Sequence, residues 1–141
     1  MTHCVFCQAA AREIPAVFVL EDRLTIAIVD LRQPHDGHVL VLPRAHVASF
    51  DNLDKETAAE LAWSTVRVTR AVSRAYQPEG QSLWQSNGAA AGQEVFHVHV
   101  HVLPRVTGDG LVRVYPTPPR TYGPTDETLA RIGERIRREI V

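Results

Sequence analysis

The stretch from His97 to Val102 reads His-Val-His-Val-His-Val, and its residue types are the ones best suited to chemistry. Successive side chains of a β-strand point to opposite faces, so His97, His99 and His101 are expected on one face and the valines on the other. Next-but-one residues lie about 6.6 Å apart, which would set the imidazoles in one row. Such a row can bind zinc, or it can surround one nucleophilic imidazole whose tautomer its neighbours fix. A polar face turned to solvent is the remaining interpretation.

A second candidate for chemistry is the Cys-x-x-Cys pair formed by Cys4 and Cys7. The pair is compatible with a redox dithiol, with half of a zinc site or with two buried thiols. A redox dithiol favours a thioredoxin-like βαβ context, which this sequence lacks. Two ligands cannot complete a tetrahedral zinc ion, so a zinc site would need further ligands from elsewhere in the chain.

The elements that must position these residues are an antiparallel sheet and two helices. Apolar residues between Asp54 and Tyr76 recur at three- and four-residue steps, which predicts one long amphipathic helix. A second helix is expected to begin near Thr125, after irregular proline-rich chain at 116–124. The first two predicted strands form a hairpin, and Pro104 is expected to end the last strand. Strands are predicted at 17–20, 24–29, 38–42, 82–85 and 97–103.

Size and charge narrow the class of protein. The chain has 141 residues and a mass of 15.7 kDa, the size of one ordinary domain. Its formal net charge of -1 argues against a nucleic-acid partner or a membrane-surface role. No run approaches the roughly 20 apolar residues of a membrane span, and the N-terminus lacks the apolar core of a secretory signal. We therefore expect a cytoplasmic protein.

The histidine stretch resembles the signature of the histidine triad (HIT) superfamily, in which histidines alternate with apolar residues. Similar segments occur in the family's order at Arg12–Ala16, Val29–Leu31, Gly37–Pro43 and Ala91–Gln93. The resemblance covers about residues 4–110. It implies an α+β HIT-like fold, with an antiparallel sheet of about five strands, one long helix packed on it and a C-terminal helix. The whole chain, 1–141, would then be a single HIT domain with a C-terminal extension holding the helix at about 125–140.

The resemblance implies a nucleotide hydrolase or nucleotidyl transferase that acts at an α-phosphate. His99 corresponds to the family's nucleophile, which attacks phosphorus and forms a covalent nucleotidyl-histidine intermediate. His101 and His38 resemble the supporting histidines, and Gln93 resembles a residue that contacts the phosphates or the leaving group. No catalytic metal is expected, because imidazoles and backbone N–H groups can meet the charge on the phosphate.

The same resemblance assigns substrate contacts for a purine nucleotide. Asp30 would hold the ribose hydroxyls with Leu31 beside it, and Asn87 would lie at the phosphate end. An Asn before Gly is also common in an ordinary turn, and apolar residues would be buried in any fold. Backbone donors to the phosphate would come from Gly92 to Val95, including Glu94 and Val95, and the base pocket would be lined by Phe6, Ile14 and Ile28.

The resemblance also completes the metal site. Some bacterial members bind zinc through an N-terminal Cys pair, a histidine after the third strand and the first triad histidine. The corresponding residues are Cys4, Cys7, His46 and His97, which would form a closed structural Zn²⁺ site. His3 and His35 are interpreted as ordinary surface residues.

The chain resembles two branches of the superfamily, each in part, so the sequence does not identify the leaving group. The region around Gly92 is similar to the fragile histidine triad branch, whose members cleave dinucleoside polyphosphates. The N-terminal segment is more similar to the phosphoramidase branch, which commonly has Ser where this chain has Glu94. A nucleotide-binding regulator with incidental hydrolysis is the alternative function. Family members usually form homodimers, so a homodimer is expected.

Overall fold

The computed structural model describes residues 4–111 and 125–140. The chain divides after Asp109 into two compact units, of which the first holds every candidate site residue. The predicted proline-rich stretch and His3 lie outside the described residues.

The first unit is built on a five-stranded antiparallel sheet in the order β1-β2-β3-β5-β4, which confirms the predicted α+β class. Its strands alternate apolar and polar residues, or are apolar throughout where both faces are covered. Their bounds are β1 Phe18–Glu21, β2 Thr25–Val29, β3 Val39–Pro43, β4 Gly80–Trp84 and β5 Val100–Arg105.

The long helix α2, Lys55–Tyr76, covers one face of the sheet. The Asp54 carboxylate caps its first turn by accepting a hydrogen bond from the Thr57 N–H at 2.8 Å, as the acidic N-terminal sequence predicts. The helix buries Leu61, Val68 and Val72 against valines that include Val98, just before β5, and Val102 within it. The valine face of the histidine stretch is therefore a core face, as the alternation predicts.

A short helix α1, Val5–Ala10, lies on the opposite face of the sheet and was not predicted. It places Phe6 in a second apolar cluster with Ile28, and Cys4 and Cys7 lie at its start and within it. Six residues are too few to show a helical period, so the sequence pattern gives no sign of it.

The last strand differs from its predicted bounds at both ends. It begins at Val100 because the chain bends before it: the His97 N–H donates to the Val95 carbonyl, and the Val98 N–H donates to the Val47 carbonyl. His97 and His99 thus precede the strand, and only His101 lies within it. Pro104 does not end the strand. Beyond Val102, β5 pairs with β4 on one side only, and its other edge has no partner strand. A proline, which has no N–H group, is tolerated where that edge makes no hydrogen bond.

The second unit contains helix α3, Asp126–Arg137. The helix begins near Thr125, as predicted, and the Thr125 hydroxyl caps it by accepting from the Thr128 N–H at 3.3 Å. Among the described residues, no helix is long and apolar enough to cross a bilayer.

Candidate active site and metal centre

His99 is held in the tautomer that a nucleophile needs. Its Nδ1 lies 2.7 Å from the carbonyl oxygen of His97, and a carbonyl can only accept, so Nδ1 carries the proton and Nε2 keeps a lone pair. The Phe6 ring meets the imidazole edge-on, with centroids 5.0 Å apart. Burial lowers the pKa of His99, which favours the neutral ring.

His38 and His101 form a second hydrogen-bonded chain beside it. His38 Nδ1 lies 2.7 Å from the Arg32 carbonyl and therefore donates to it. His38 Nε2, left as the acceptor, lies 3.0 Å from His101 Nδ1, which must carry a proton in turn. His101 Nε2 is then unprotonated, like His99 Nε2. Burial is the main cause that lowers the pKa of His101 to about 4.

Sequence alternation brings only part of the expected row together. The His99 and His101 rings have centroids 4.9 Å apart, and His38 stacks on His101 at 5.2 Å. The His97 ring instead turns toward His46, at 5.2 Å, because it precedes the strand and follows a bend. The three triad histidines therefore serve two neighbouring sites and do not form a single row.

Asp30 lies beside this cluster and has acceptor capacity left over. Its Oδ1 accepts from the Arg32 N–H at 2.8 Å. Its Oδ2 is buried, lies 3.5 Å from His38 Nδ1 and has no hydrogen-bond partner among the described residues. Leu31 is 99% exposed, so no described residue covers the side chain beside Asp30. A buried acceptor without a donor is consistent with a ligand hydroxyl as its partner.

Asp30, His38 and His101 also lie close enough together to bind a metal ion, with one ligand atom of each within 4.8 Å of the others. Both His38 nitrogens are already hydrogen-bonded, to the Arg32 carbonyl and to His101. A metal ion would have to break one of these bonds, so the observed arrangement suits proton control better than metal ligation.

Gln33 was not predicted, yet its side chain fixes the loop that joins Asp30 to His38. Its Nε2 donates to the carbonyls of Asp30 and His38, each at 2.7 Å. Its Oε1 accepts from the N–H groups of Gly37 and His38, at 2.9 and 3.1 Å. A glutamine in a polar loop gives no sequence signal for such a role.

The loop before the triad is organised by Gln93. Its Oε1 accepts from the Gly88 N–H at 2.7 Å, and its Nε2 donates to the Ala48 and Val95 carbonyls at 2.7 and 3.2 Å. In this structure the buried amide thus shapes the loop. A contact between Gln93 and phosphate stays a prediction, since it would require exchange of one of these bonds.

Asn87 and two of the expected backbone donors of this loop already make hydrogen bonds within the chain. Asn87 Oδ1 accepts from the Phe50 N–H at 2.9 Å and so ties the loop to a short turn of 3₁₀ helix, 50–52. The Gly92 and Gln93 N–H groups donate to carbonyls within the loop. Among the described residues, the N–H groups of Glu94 and Val95 donate no hydrogen bond. Of the backbone donors expected to contact phosphate, these two are therefore the ones still available.

The predicted base-pocket residues Phe6, Ile14 and Ile28 differ in their surroundings. Phe6 and Ile28 are buried together in the cluster beneath α1. Ile14 lines a shallow surface cleft whose other walls are Arg12, Glu13, Pro15, Ala16 and Phe18. A shared base pocket stays a prediction.

The four predicted metal ligands converge. Cys4 Sγ and Cys7 Sγ lie 3.4 and 3.5 Å from His97 Nδ1, and Cys7 Sγ lies 3.4 Å from His46 Nδ1. All four ligand atoms lie within 4.8 Å of one another. A tetrahedral zinc ion with ordinary bond lengths sets its sulfur and nitrogen ligands about 3.6 Å apart. The donor set and its spacing therefore fit zinc.

The surroundings of these ligands suit a metal as well. His97 is fully buried and its Nε2 donates to the Pro43 carbonyl at 2.8 Å, which leaves Nδ1 unprotonated toward the cysteines. Without a metal, burial together with Cys4 raises the pKa of the Cys7 thiol to about 11. A bound zinc ion would oppose this by stabilising the thiolate.

His35 departs from its interpretation as a surface residue. Its side chain is 31% exposed, and its Nε2 lies 3.3 Å from the buried Asp109 carboxylate. Asp109 also accepts from Arg105 at 2.7 Å, so the His35 ring lies beside a structural ion pair at the end of β5.

A five-stranded sheet covered by one long helix, with alternating histidines that lead into β5, is the architecture of a histidine-triad protein. The chain matches the HIT domain family over residues 11–108 and belongs to that family. A HIT family member from Bacillus subtilis, known from its crystal structure, superposes with a TM-score of 0.89 at 33% identity, covering 99% of both chains. A zinc-bound histidine triad family protein from Mycobacterium smegmatis gives a TM-score of 0.72 at 36% identity, covering 78% of this chain and 80% of that one. Adenosine 5'-monophosphoramidase hnt1 of Schizosaccharomyces pombe is 33% identical over 138 residues, 97% of this chain and 98% of that protein.

Proposed function

We propose that this protein is a nucleotide hydrolase that acts at the α-phosphate of a purine nucleotide through a covalent nucleotidyl-His99 intermediate. The observation that carries the proposal is the hydrogen bond from His99 Nδ1 to the His97 carbonyl, which leaves Nε2 free to attack. The fission yeast relative, named as an adenosine 5'-monophosphoramidase, supports an adenosine 5'-phosphoryl substrate.

In the first step the His99 Nε2 lone pair forms a bond to phosphorus, and the bond from phosphorus to the leaving group breaks with its electron pair on the leaving atom. His101 meets the phosphate in this step. An approaching anion favours the imidazolium, so His101 Nε2 takes up a proton and donates it in a hydrogen bond to a phosphate oxygen. Water then attacks phosphorus: a phosphorus–oxygen bond forms, the bond from phosphorus to His99 Nε2 breaks with its electron pair on Nε2, and the proton that the water loses passes to solvent.

The remaining residues hold the nucleotide. Asp30 Oδ2, which is buried and meets no donor in the part of the chain that the structure describes, accepts a ribose hydroxyl, and Leu31 lies exposed beside it. The Glu94 and Val95 N–H groups donate to phosphate oxygens, as oxyanion-binding amides do. Asn87 and Gln93 keep the loop that carries these amides in place.

Replacement of His99 tests the proposal. His99→Ala should lower the turnover of adenosine 5'-phosphoramidate by roughly 10⁴-fold or more, because the nucleophile is lost. Quenching of the wild type in alkaline denaturant during turnover should trap an adenylylated peptide that contains residue 99, because the phosphorus–nitrogen bond survives at high pH and is hydrolysed in acid. His35→Gln is the matched control, since it removes a histidine outside the proposed site. Undiminished turnover in His99→Ala would refute the nucleophile assignment.

A nucleotide-binding regulator is the second candidate. It would bind AMP with the same Asp30 and backbone contacts but would show no adenylylated intermediate. Tight AMP binding by the wild type together with slow turnover that His99→Ala does not change would favour the regulator.

We further propose that Cys4, Cys7, His46 and His97 bind a structural zinc ion. Zinc would tie α1 to the segment that carries His99 and would take no part in the reaction itself. Mass spectrometry of the native protein should find close to one zinc per chain, and Cys7→Ser should lose it and lower the melting temperature. Less than about half an equivalent of zinc would contradict the site.

We also infer that the whole chain works as one HIT domain and pairs as a homodimer, as the family resemblance implies. Size-exclusion chromatography with light scattering should report twice the mass of 15.7 kDa. A monomer at micromolar concentration would contradict the pairing.

A further inference from the structure

The Arg32 guanidinium lies between two carboxylates at the edge of the histidine cluster. Its Nη1 donates to Glu94 Oε2 at 3.0 Å, and its Nε lies 3.8 Å from Asp30 Oδ1. Arg32 follows Asp30 in the loop after β2, and Glu94 follows Gln93 in the loop before the triad. One ion pair therefore joins the two loops that hold the proposed substrate contacts.

Arg32 also lies within electrostatic reach of His101. Its positive charge is among the causes that lower the pKa of that ring. Its backbone takes part too, because its carbonyl accepts from His38 Nδ1. A group on the substrate that lies beside these histidines would lie near the guanidinium.

The charge balance of the site indicates that an anionic substrate needs the Arg32 guanidinium. With the histidines neutral, the charged groups at the cluster are Asp30, Glu94 and Arg32, so two negative charges face one positive charge. An arriving polyphosphate is repelled unless Arg32 turns from Glu94 to the substrate. The exchange is easy because the Arg32 and Glu94 side chains are 65% and 70% exposed, and exposed ion pairs are weak.

We propose that Arg32 recognises the leaving group, exchanging Glu94 for an anionic oxygen of the substrate, so that the site favours anionic leaving groups over neutral amines. The inference rests on the proposed function. When the bond from phosphorus to the bridging oxygen breaks, that oxygen keeps the electron pair, and the guanidinium neutralises its charge with two parallel N–H donors. An amine leaving group must instead gain a proton and gains nothing from Arg32.

Two substrates that share adenylate but differ in leaving group test this. Diadenosine triphosphate releases ADP, and adenosine 5'-phosphoramidate releases ammonia. Arg32→Gln should lower kcat/KM for the first by roughly 10- to 100-fold, the loss expected for charge-assisted hydrogen bonds, and for the second by less than about threefold. Glu94→Gln, which removes the competing carboxylate, should raise kcat/KM for diadenosine triphosphate by about threefold or more.

The matched control is the exposed ion pair of Arg23 and Glu56, with side chains 74% and 69% exposed. Arg23→Gln should leave the ratio of the two kcat/KM values unchanged. The proposal is overturned if Arg32→Gln affects both substrates equally or if Glu94→Gln slows diadenosine triphosphate.

A binding experiment separates this proposal from the proposed function. If the wild type turns over neither substrate, the proposed function fails, and calorimetry then decides the role of Arg32. Arg32→Gln should weaken the binding of ADP at least about tenfold while leaving that of adenosine unchanged. Equal effects on the two ligands would reject leaving-group recognition.

Discussion

The indole of Trp84 lies flat against the imidazole of His101, with ring centroids 4.1 Å apart and an angle of 2° between the planes. The two residues are directly opposite one another on β4 and β5. The His99 ring approaches His101 from the segment just before β5. The His101 ring therefore lies between the His99 imidazole and the Trp84 indole. This stack contributes to the desolvation that lowers the pKa of His101 to about 4.

Removal of the indole should therefore raise the pKa of His101. In Trp84→Leu we expect an increase of about one unit, because water regains access to the ring and stabilises the imidazolium. NMR titration of the histidine side-chain resonances measures it. Trp63→Leu, which changes a tryptophan exposed on α2, is the control and should leave the value alone. A lower His101 pKa in Trp84→Leu would mean that the stack stabilises the cation instead.

Stability should fall on the acid side because of the same histidine. The folded-state pKa of His101, about 4, is below its ordinary value of 6.5, so between these values the unfolded chain binds more protons. Stability is complete above about pH 6.5 and is lost as the pH falls toward 4. Since the ring is only partly buried, the loss from this residue between about pH 7 and about pH 5 should be near 1 kcal/mol. Urea unfolding measures it, and His101→Asn should show a flatter pH dependence than the wild type.

The Gln33 side chain should matter more than its place in a polar loop indicates. Gln33→Ala removes four hydrogen bonds to the backbone of the segment 30–38, and we expect about 1 to 2 kcal/mol of destabilisation. Because that segment carries Asp30 and His38, kcat/KM should fall by roughly tenfold. Gln33→Glu keeps the acceptor toward Gly37 and His38 and should be intermediate. Wild-type kinetics in Gln33→Ala would show that the loop is held by other means.

Gly37 should not tolerate a side chain. Its φ is +105°, and a Cβ atom there would lie 2.8 Å from the Tyr76 ring and 3.1 Å from Pro104. Gly37→Ala should cost about 1 to 3 kcal/mol in the free energy of unfolding. Adding Tyr76→Ala to Gly37→Ala should recover the stability lost to the clash with the ring but not the stability lost to the unfavourable φ. Gly80→Ala is the control, because a Cβ there meets nothing within 4 Å.

Patterns that repeat along the chain predicted most of the fold. The alternation predicted that the valines of 97–102 pack in the core beneath α2, and Val98 and Val102 are fully inaccessible there. The period of α2 predicted the helix itself, although Ala62 and Tyr76 from its expected stripe are exposed. Both predictions depend on local periodicity, which a single sequence records directly.

Contacts that single side chains make with residues far away in the sequence produce no repeating pattern, so the sequence did not predict them. The onset of β5 depends on a hydrogen bond between Val98 and Val47, and the Trp84 stack and the Arg32 ion pair join residues far apart in the chain. The four metal ligands converge as expected, but that prediction came from family resemblance and not from spacing. Side-chain roles of this kind follow from tertiary geometry, so they became visible only with the fold.

His97 serves two neighbouring sites through two different chemical groups. Its imidazole faces the cysteines, whereas its backbone carbonyl accepts the His99 proton. Every residue type has that carbonyl, so the two duties are separable in evolution. A lineage could replace the imidazole and lose the proposed metal site while the carbonyl oxygen that fixes the His99 proton stays in place, provided that the backbone keeps its course.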